Sequence, residues 1–93
     1  MRVYTRRAEV LIRLEKINPG RRQRRFYVLY VTQTLFGEWC VIHEWGRIGS
    51  KGGQRRVDYL ETEGAAHAVC EEWKAVKLRS GYAPIPVQLT LFG

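Results

Sequence analysis

Glu44-Trp45-Gly46-Arg47-Ile48-Gly49 sets an indole, a bare backbone position and a guanidinium in consecutive places. Gly46 brings no side chain, so a large partner is expected to approach the backbone closely there. Trp45 offers a stacking surface, and Arg47 a permanently charged fork of donors. A glycine-rich basic stretch follows, Ser50-Lys51-Gly52-Gly53-Gln54-Arg55-Arg56. Together these parts suit a sugar-phosphate chain. Stacking on an aromatic ring is worth roughly 1–3 kcal/mol per base. Phosphate contacts from Arg47, Lys51, Arg55 and Arg56, with Gln54 among them, would dominate affinity and make it salt-dependent. A second reading stands beside this one: Trp45 closes one end of the core, and Arg47 pairs with a neighbouring acid.

Other chemistry fares worse. Cys40-x-x-His43 and His67-x-x-Cys70 imitate a four-ligand zinc pattern. Positions 40 and 43 fall on a predicted strand, where a spacing of three sends side chains to opposite faces. Buried cysteines and ordinary histidines are the better reading, with no metal and no cofactor. Neither histidine has a Ser or Cys in a strained turn beside it, so no nucleophilic triad is built. The glycines at 49, 52 and 53 lack the strand-to-helix context of a phosphate-binding loop. The expectation is a binding protein, with no small-molecule substrate and no catalysis.

Charge gives that reading a location. The 93-residue chain carries +7 overall. Its first 25 residues hold nine Lys/Arg against Glu9 and Glu15, and the remainder is neutral. The excess is densest at Arg21-Arg22-Gln23-Arg24-Arg25. Charge gathered in one region attracts a polyanion and steers encounter. Nucleic acid is the favoured partner over anionic lipid, because no amphipathic anchor accompanies the cluster. The longest apolar run, residues 26–31, is far short of the ~20 residues a bilayer span needs. With no export signal read at the start and only Cys40 and Cys70, a reducing, cytoplasmic protein is expected.

The elements that must position these residues follow from periodicity. Val10, Ile12 and Leu14 alternate with polar residues, predicting a strand over about 8–17. Asn18-Pro19-Gly20 signals a turn, with the arginine run as a hairpin-like loop after it. Strands are predicted at about 26–32, 39–48 and 55–60. On the third, Trp39, Val41, His43, Trp45 and Arg47 share one face. A helix capped by Thr62 carries Ala66, Val69, Trp73 and Val76 on one stripe, widened by Ala65, and ends at Gly81. The fold expected is α+β: a small antiparallel sheet of about four strands with one amphipathic helix on one face.

Phe26-Tyr27-x-Leu29, Leu35-Phe36-Gly37-x-Trp39-x-Val41, Trp45-Gly46-Arg47-Ile48-Gly49, Gly53-Gln54 and Lys77-x-Arg79-x-Gly81-Tyr82 occur in the order of motifs in a WGR domain, which this chain resembles over about residues 9–83. WGR domains accompany the catalytic region of poly(ADP-ribose) polymerases and occur as short bacterial proteins. In the polymerases the module binds DNA at strand breaks, its motif Trp against the terminal sugar and its motif Arg organising the contact. The resemblance gives Trp45 and Arg47 those roles and implies no polymerase activity. It divides the chain into a basic segment (1–7), a WGR domain (8–83) and a tail (84–93).

In that tail, Gln88-Leu89-Thr90-Leu91-Phe92 resembles the pentapeptide by which bacterial replication and repair proteins dock on the DNA sliding clamp. Such a peptide would use Gln88, Leu89, Leu91 and Phe92, presented by Ala83-Pro84-Ile85-Pro86 as a stiff spacer; the alternative is an apolar tail folded onto the domain, or an extra strand. The leading expectation is therefore DNA binding near ends, nicks or gaps. The alternatives are a clamp-docking adaptor and RNA binding, since a stacking Trp with Arg does not discriminate sugars.

Overall fold

The computed structural model describes residues 10–85. Five antiparallel strands form one sheet in the order β4-β3-β2-β1-β5. They are β1 (Val10–Asn18), β2 (Gln23–Gln33), β3 (Trp39–Arg47), β4 (Gln54–Leu60) and β5 (Ala83–Ile85). The helix α1 (Glu63–Arg79) follows β4 and packs on one face. The class is α+β, as the sequence pattern indicates, with one strand more than expected.

That extra strand lies where a spacer was read. Ala83, Pro84 and Ile85 pair with Glu15, Leu14 and Arg13 of β1. Proline is tolerated because β5 is an edge strand, where a missing N–H can face outward. The arginine run also differs from its expected loop. Only Pro19–Arg21 is a tight 3-10 turn, and Arg22, at φ 54°, closes it in the left-handed region. Arg24 and Arg25 already belong to β2. The hairpin is short because Asn18 and Gln23 are register partners across it.

The core lies between sheet and helix. Leu14, Tyr27, Leu29, Val31 and Val41 from the sheet meet Ala66 and Cys70 of α1, with Trp39, Val69 and Trp73 packed at the margins. The helix start is as expected: the Thr62 hydroxyl accepts from the Ala65 N–H at 3.1 Å. Its end is a closed cap, with Gly81 N donating to Leu78 O and Tyr82 N to Lys77 O. Gly81 takes φ +104°, which only glycine adopts without strain. Within the helix, Cys70 takes an inner position, and Val76, expected on the apolar stripe, is exposed.

Candidate nucleic-acid interface

Strand β3 delivers Trp45 and Arg47 to the same end of the sheet, and register decides what stands beside them. Arg25 of β2 lies directly opposite Arg47, and Tyr27 directly opposite Trp45. The Ile48 N–H then donates to Arg24 O at 2.9 Å, extending the pairing past the strand end. The arginine run and the Trp-Gly-Arg trio, distant in sequence, therefore form one surface. They line a pocket of about 500 Å³ that also includes Gln54 and Tyr82. Arg21, Arg22, Arg24, Arg25 and Arg47 all contribute, and among the described residues no carboxylate lines it.

Like charges placed directly opposite on adjacent strands destabilise a sheet. Arg25 and Arg47 do this in a wall where none of the five arginines makes an ion pair among the described residues. The expectation that Arg47 pairs with a neighbouring acid is not met. A bound anion would relieve such repulsion.

Trp45 is half-buried. Its ring stacks on Tyr27 with centroids 5.6 Å apart and planes 14° from parallel. That contact joins the indole to the core. Trp45 also lines the arginine pocket.

Tyr27 is itself fixed from below. Its hydroxyl lies 2.8 Å from His43 Nδ1, and His43 Nε2 lies 2.8 Å from Asp58 Oδ2. With Asp58 as acceptor, Nε2 carries the proton and Nδ1 accepts from Tyr27 Oη. Burial pushes the Tyr27 hydroxyl up to about 12. Burial also lowers His43 below the ordinary imidazole value, against the opposing pull of Asp58. At neutral pH the tyrosine is thus protonated and the histidine neutral, the pair of states this chain of hydrogen bonds requires. The Lys77 ammonium lies 4.5 Å from the centre of the Tyr27 ring.

The remaining candidates separate. Arg56 is engaged: its Nε donates to Asp58 Oδ1 at 3.0 Å, and its guanidinium lies over Trp73 at 5.2 Å. Arg55 stands on the opposite face, with its Nε 3.6 Å from Glu44 Oε2. Lys51 is exposed on the loop between β3 and β4 and does not line the arginine pocket. Gln54, the register partner of Trp45, does line it.

Gly46 needs a different explanation from the one its sequence suggests. A Cβ there would lie 3.3 Å from the Gly53 Cα and 3.3 Å from the Phe26 ring. A Cβ on Gly53 would come within 2.6 Å of the Trp45 carbonyl oxygen. Gly46 and Gly53 are small so that the β3–β4 loop can close against the strand. The close partner at Gly46 is this chain's own loop.

Residues that sequence reasoning missed as parts of this site are Tyr27, Gln23 and Tyr82. The alternation of residues 26–32 places Tyr27 on the inner face, which was a usable signal. Tyr82 reaches the pocket only because the helix cap turns the chain back toward the sheet. Gln88, Leu89, Leu91 and Phe92, the residues read as clamp-binding, lie outside the described residues, as does segment 1–7.

A family profile described as WGR domain matches residues 11–88. The chain belongs to the WGR domain family. WGR domains are a nucleic-acid-binding module of poly(ADP-ribose) polymerases, a binding rather than a catalytic kind of domain. A curated relative, the uncharacterized protein y4dW of Sinorhizobium fredii (strain NBRC 101917 / NGR234), is 34% identical over 73 residues. The match covers 78% of this chain and 35% of that protein, so this WGR chain spans about a third of its relative's length. No solved structure matches. Among the described residues, no group of His, Cys, Asp or Glu is placed to hold a metal ion. No helix there is long and apolar enough to cross a membrane.

Proposed function

We propose that this WGR domain binds DNA at ends, nicks or gaps, with Trp45 as the sugar- or base-packing surface and the arginine wall as the phosphate contact. One observation carries the proposal: the half-buried indole and five arginines, without ion pairs among the described residues, open into a single pocket that none of the described carboxylates lines. In an intact duplex each nucleotide is stacked between neighbours. A flat ring anchored on one side by Tyr27 can pack only where that stack ends. Trp45 therefore supplies selectivity for a break. The arginines supply attraction that is blind to sequence, as phosphate contacts are.

Proximity modifies that division. Arg25 faces Arg47 across the strands, so the arginine run does more than steer from a distance and reaches the nucleotide that Trp45 meets. Arg55 and Arg56, committed to Glu44 and Asp58, contribute less than the other arginines.

The test is a salt-titrated binding comparison across single-stranded, blunt, nicked and gapped DNA and duplex RNA. Preference for interrupted DNA, with a steep salt dependence, supports the proposal. Equal affinity for intact and nicked duplex removes the break-recognition part. Tighter binding to duplex RNA assigns the same surface to RNA.

A further inference from the structure

The opposite end of the sheet has different chemistry. Residues 34–38 connect β2 to β3, and their apex is apolar: Phe36 is 90% exposed and Leu35 57%. Turn tips favour Gly, Asn, Asp and Ser, so an exposed Leu-Phe pair runs against local turn chemistry.

The turn is not loose. Thr34 N donates to Glu38 O at 2.9 Å, and Gly37 N donates to Thr34 O at 3.0 Å. The Thr34 hydroxyl accepts from both Phe36 N and Glu38 N at 3.2 Å. Gly37 takes φ +85°, and the Gln33 amide donates to its carbonyl at 3.1 Å. This network keeps the Phe36 ring out in solvent.

Beside it lies a cleft of about 330 Å³, lined by Phe36, Gly37, Glu38, Tyr59, Leu60 and Glu61. Its lining joins Phe36, Tyr59 and Leu60 to two glutamates, and among the described residues no Lys or Arg lines it. Strand β2 runs 11 residues from the arginine end to this one, roughly 33 Å at ~3.3 Å per residue. The tip and the arginine pocket thus lie at opposite ends of β2.

We propose that this tip is a protein-docking site for a segment joining an apolar side chain to a Lys or Arg. The apolar residue would pack against Phe36, Tyr59 and Leu60, and the cation would meet Glu38 and Glu61. Charge complementarity selects this occupant: the two carboxylates repel a phosphate backbone, and they favour a basic peptide over an acidic or purely apolar one. The inference does not depend on the nucleic-acid reading, because no residue is shared between the two surfaces.

The test uses the full chain as bait for a displayed library of random peptides, followed by fluorescence anisotropy on the enriched sequences. The enriched peptides are expected to combine an apolar residue with Lys or Arg. Phe36→Ser, at an exposed position that folding does not use, is expected to weaken them about tenfold or more. Glu38→Gln with Glu61→Gln is expected to weaken them less, and only at low salt. No enrichment, enrichment without basic residues, or affinity indifferent to Phe36→Ser would overturn the proposal. So would a chain that sediments as a dimer and becomes monomeric with Phe36→Ser, which would make the occupant a second copy.

Discussion

The two ends of this sheet differ in charge, in concavity and in how they hold their aromatic residues. At one end five arginines surround a half-buried Trp45 whose ring rests on Tyr27. At the other, Phe36 projects from a hydrogen-bonded turn beside two glutamates. Trp45 is anchored to the core through Tyr27, His43 and Asp58, so its orientation is set before any ligand arrives. Phe36 is held away from the core, so only its backbone is fixed. The first arrangement suits a partner of regular geometry, such as a nucleic-acid end. The second suits a partner that adapts its own side chains.

The comparison breaks most readily at the arginine wall. Replacing Arg24, Arg25 and Arg47 together with Ala is expected to weaken binding to nicked DNA by on the order of a hundredfold or more at moderate salt. It should also flatten the plot of log affinity against log salt by about one unit per arginine. A slope left unchanged would mean that these side chains do not contact phosphate. Next in size, Gly53→Ala should cost about 1–3 kcal/mol in urea unfolding, because its Cβ would meet the Trp45 carbonyl at 2.6 Å. Gly46→Ala should cost less, since its nearest contacts are 3.3 Å away. Equal, negligible costs at both positions would mean that the loop does not close on the strand.

A smaller effect reports on the support beneath Trp45. Burial lowers the folded-state pKa of His43, so the unfolded chain takes up a proton first as pH falls. Stability from this group is fully present above the ordinary imidazole value of about 6.5. It is lost progressively as pH falls below that value toward the lower folded one. Thermal melts from pH 7.5 to 5 should therefore show a falling Tm, and His43→Gln should flatten that fall. An unchanged profile in the variant would remove His43 as its source. The smallest expected effect belongs to the other end. Phe36→Ser should leave nicked-DNA affinity within about twofold and the unfolding midpoint nearly unchanged. A larger loss of DNA affinity would merge the two ends into one surface.

Much of the fold was legible because it depends on local pattern. The alternation Trp39, Val41, His43, Trp45, Arg47 placed one face of β3 correctly, and Thr62 and Gly81 bracket the helix as their chemistry demands. What escaped was the part set by pairing at a distance. Nothing local to Arg25 says that it lies opposite Arg47, so the arginine run looked like a separate steering patch when it is a wall of the same pocket. Gly46 lines the arginine pocket, yet a second neighbour escaped for a similar reason. A bare backbone position advertises close approach without saying by whom, and the answer is Gly53, brought back by a loop closure. An extra strand in the tail was one of two open readings, and Pro84 favoured the spacer, because proline is read as a strand breaker unless the strand is known to be an edge. The partner of the Arg55 and Arg56 pair was also hidden: adjacent residues on a strand face opposite ways, and each met a different carboxylate.

In the proposed division of labour, Trp45 reads the interruption and the arginines read the charge. Equilibrium binding of the wild-type chain and Trp45→Ala to one duplex sequence, intact and nicked, at a single salt concentration tests it most directly. The account predicts that wild type prefers the nicked duplex and that Trp45→Ala loses about tenfold on it while its affinity for intact duplex hardly changes. If Trp45→Ala weakens both duplexes equally, or neither, the indole does not recognise the break.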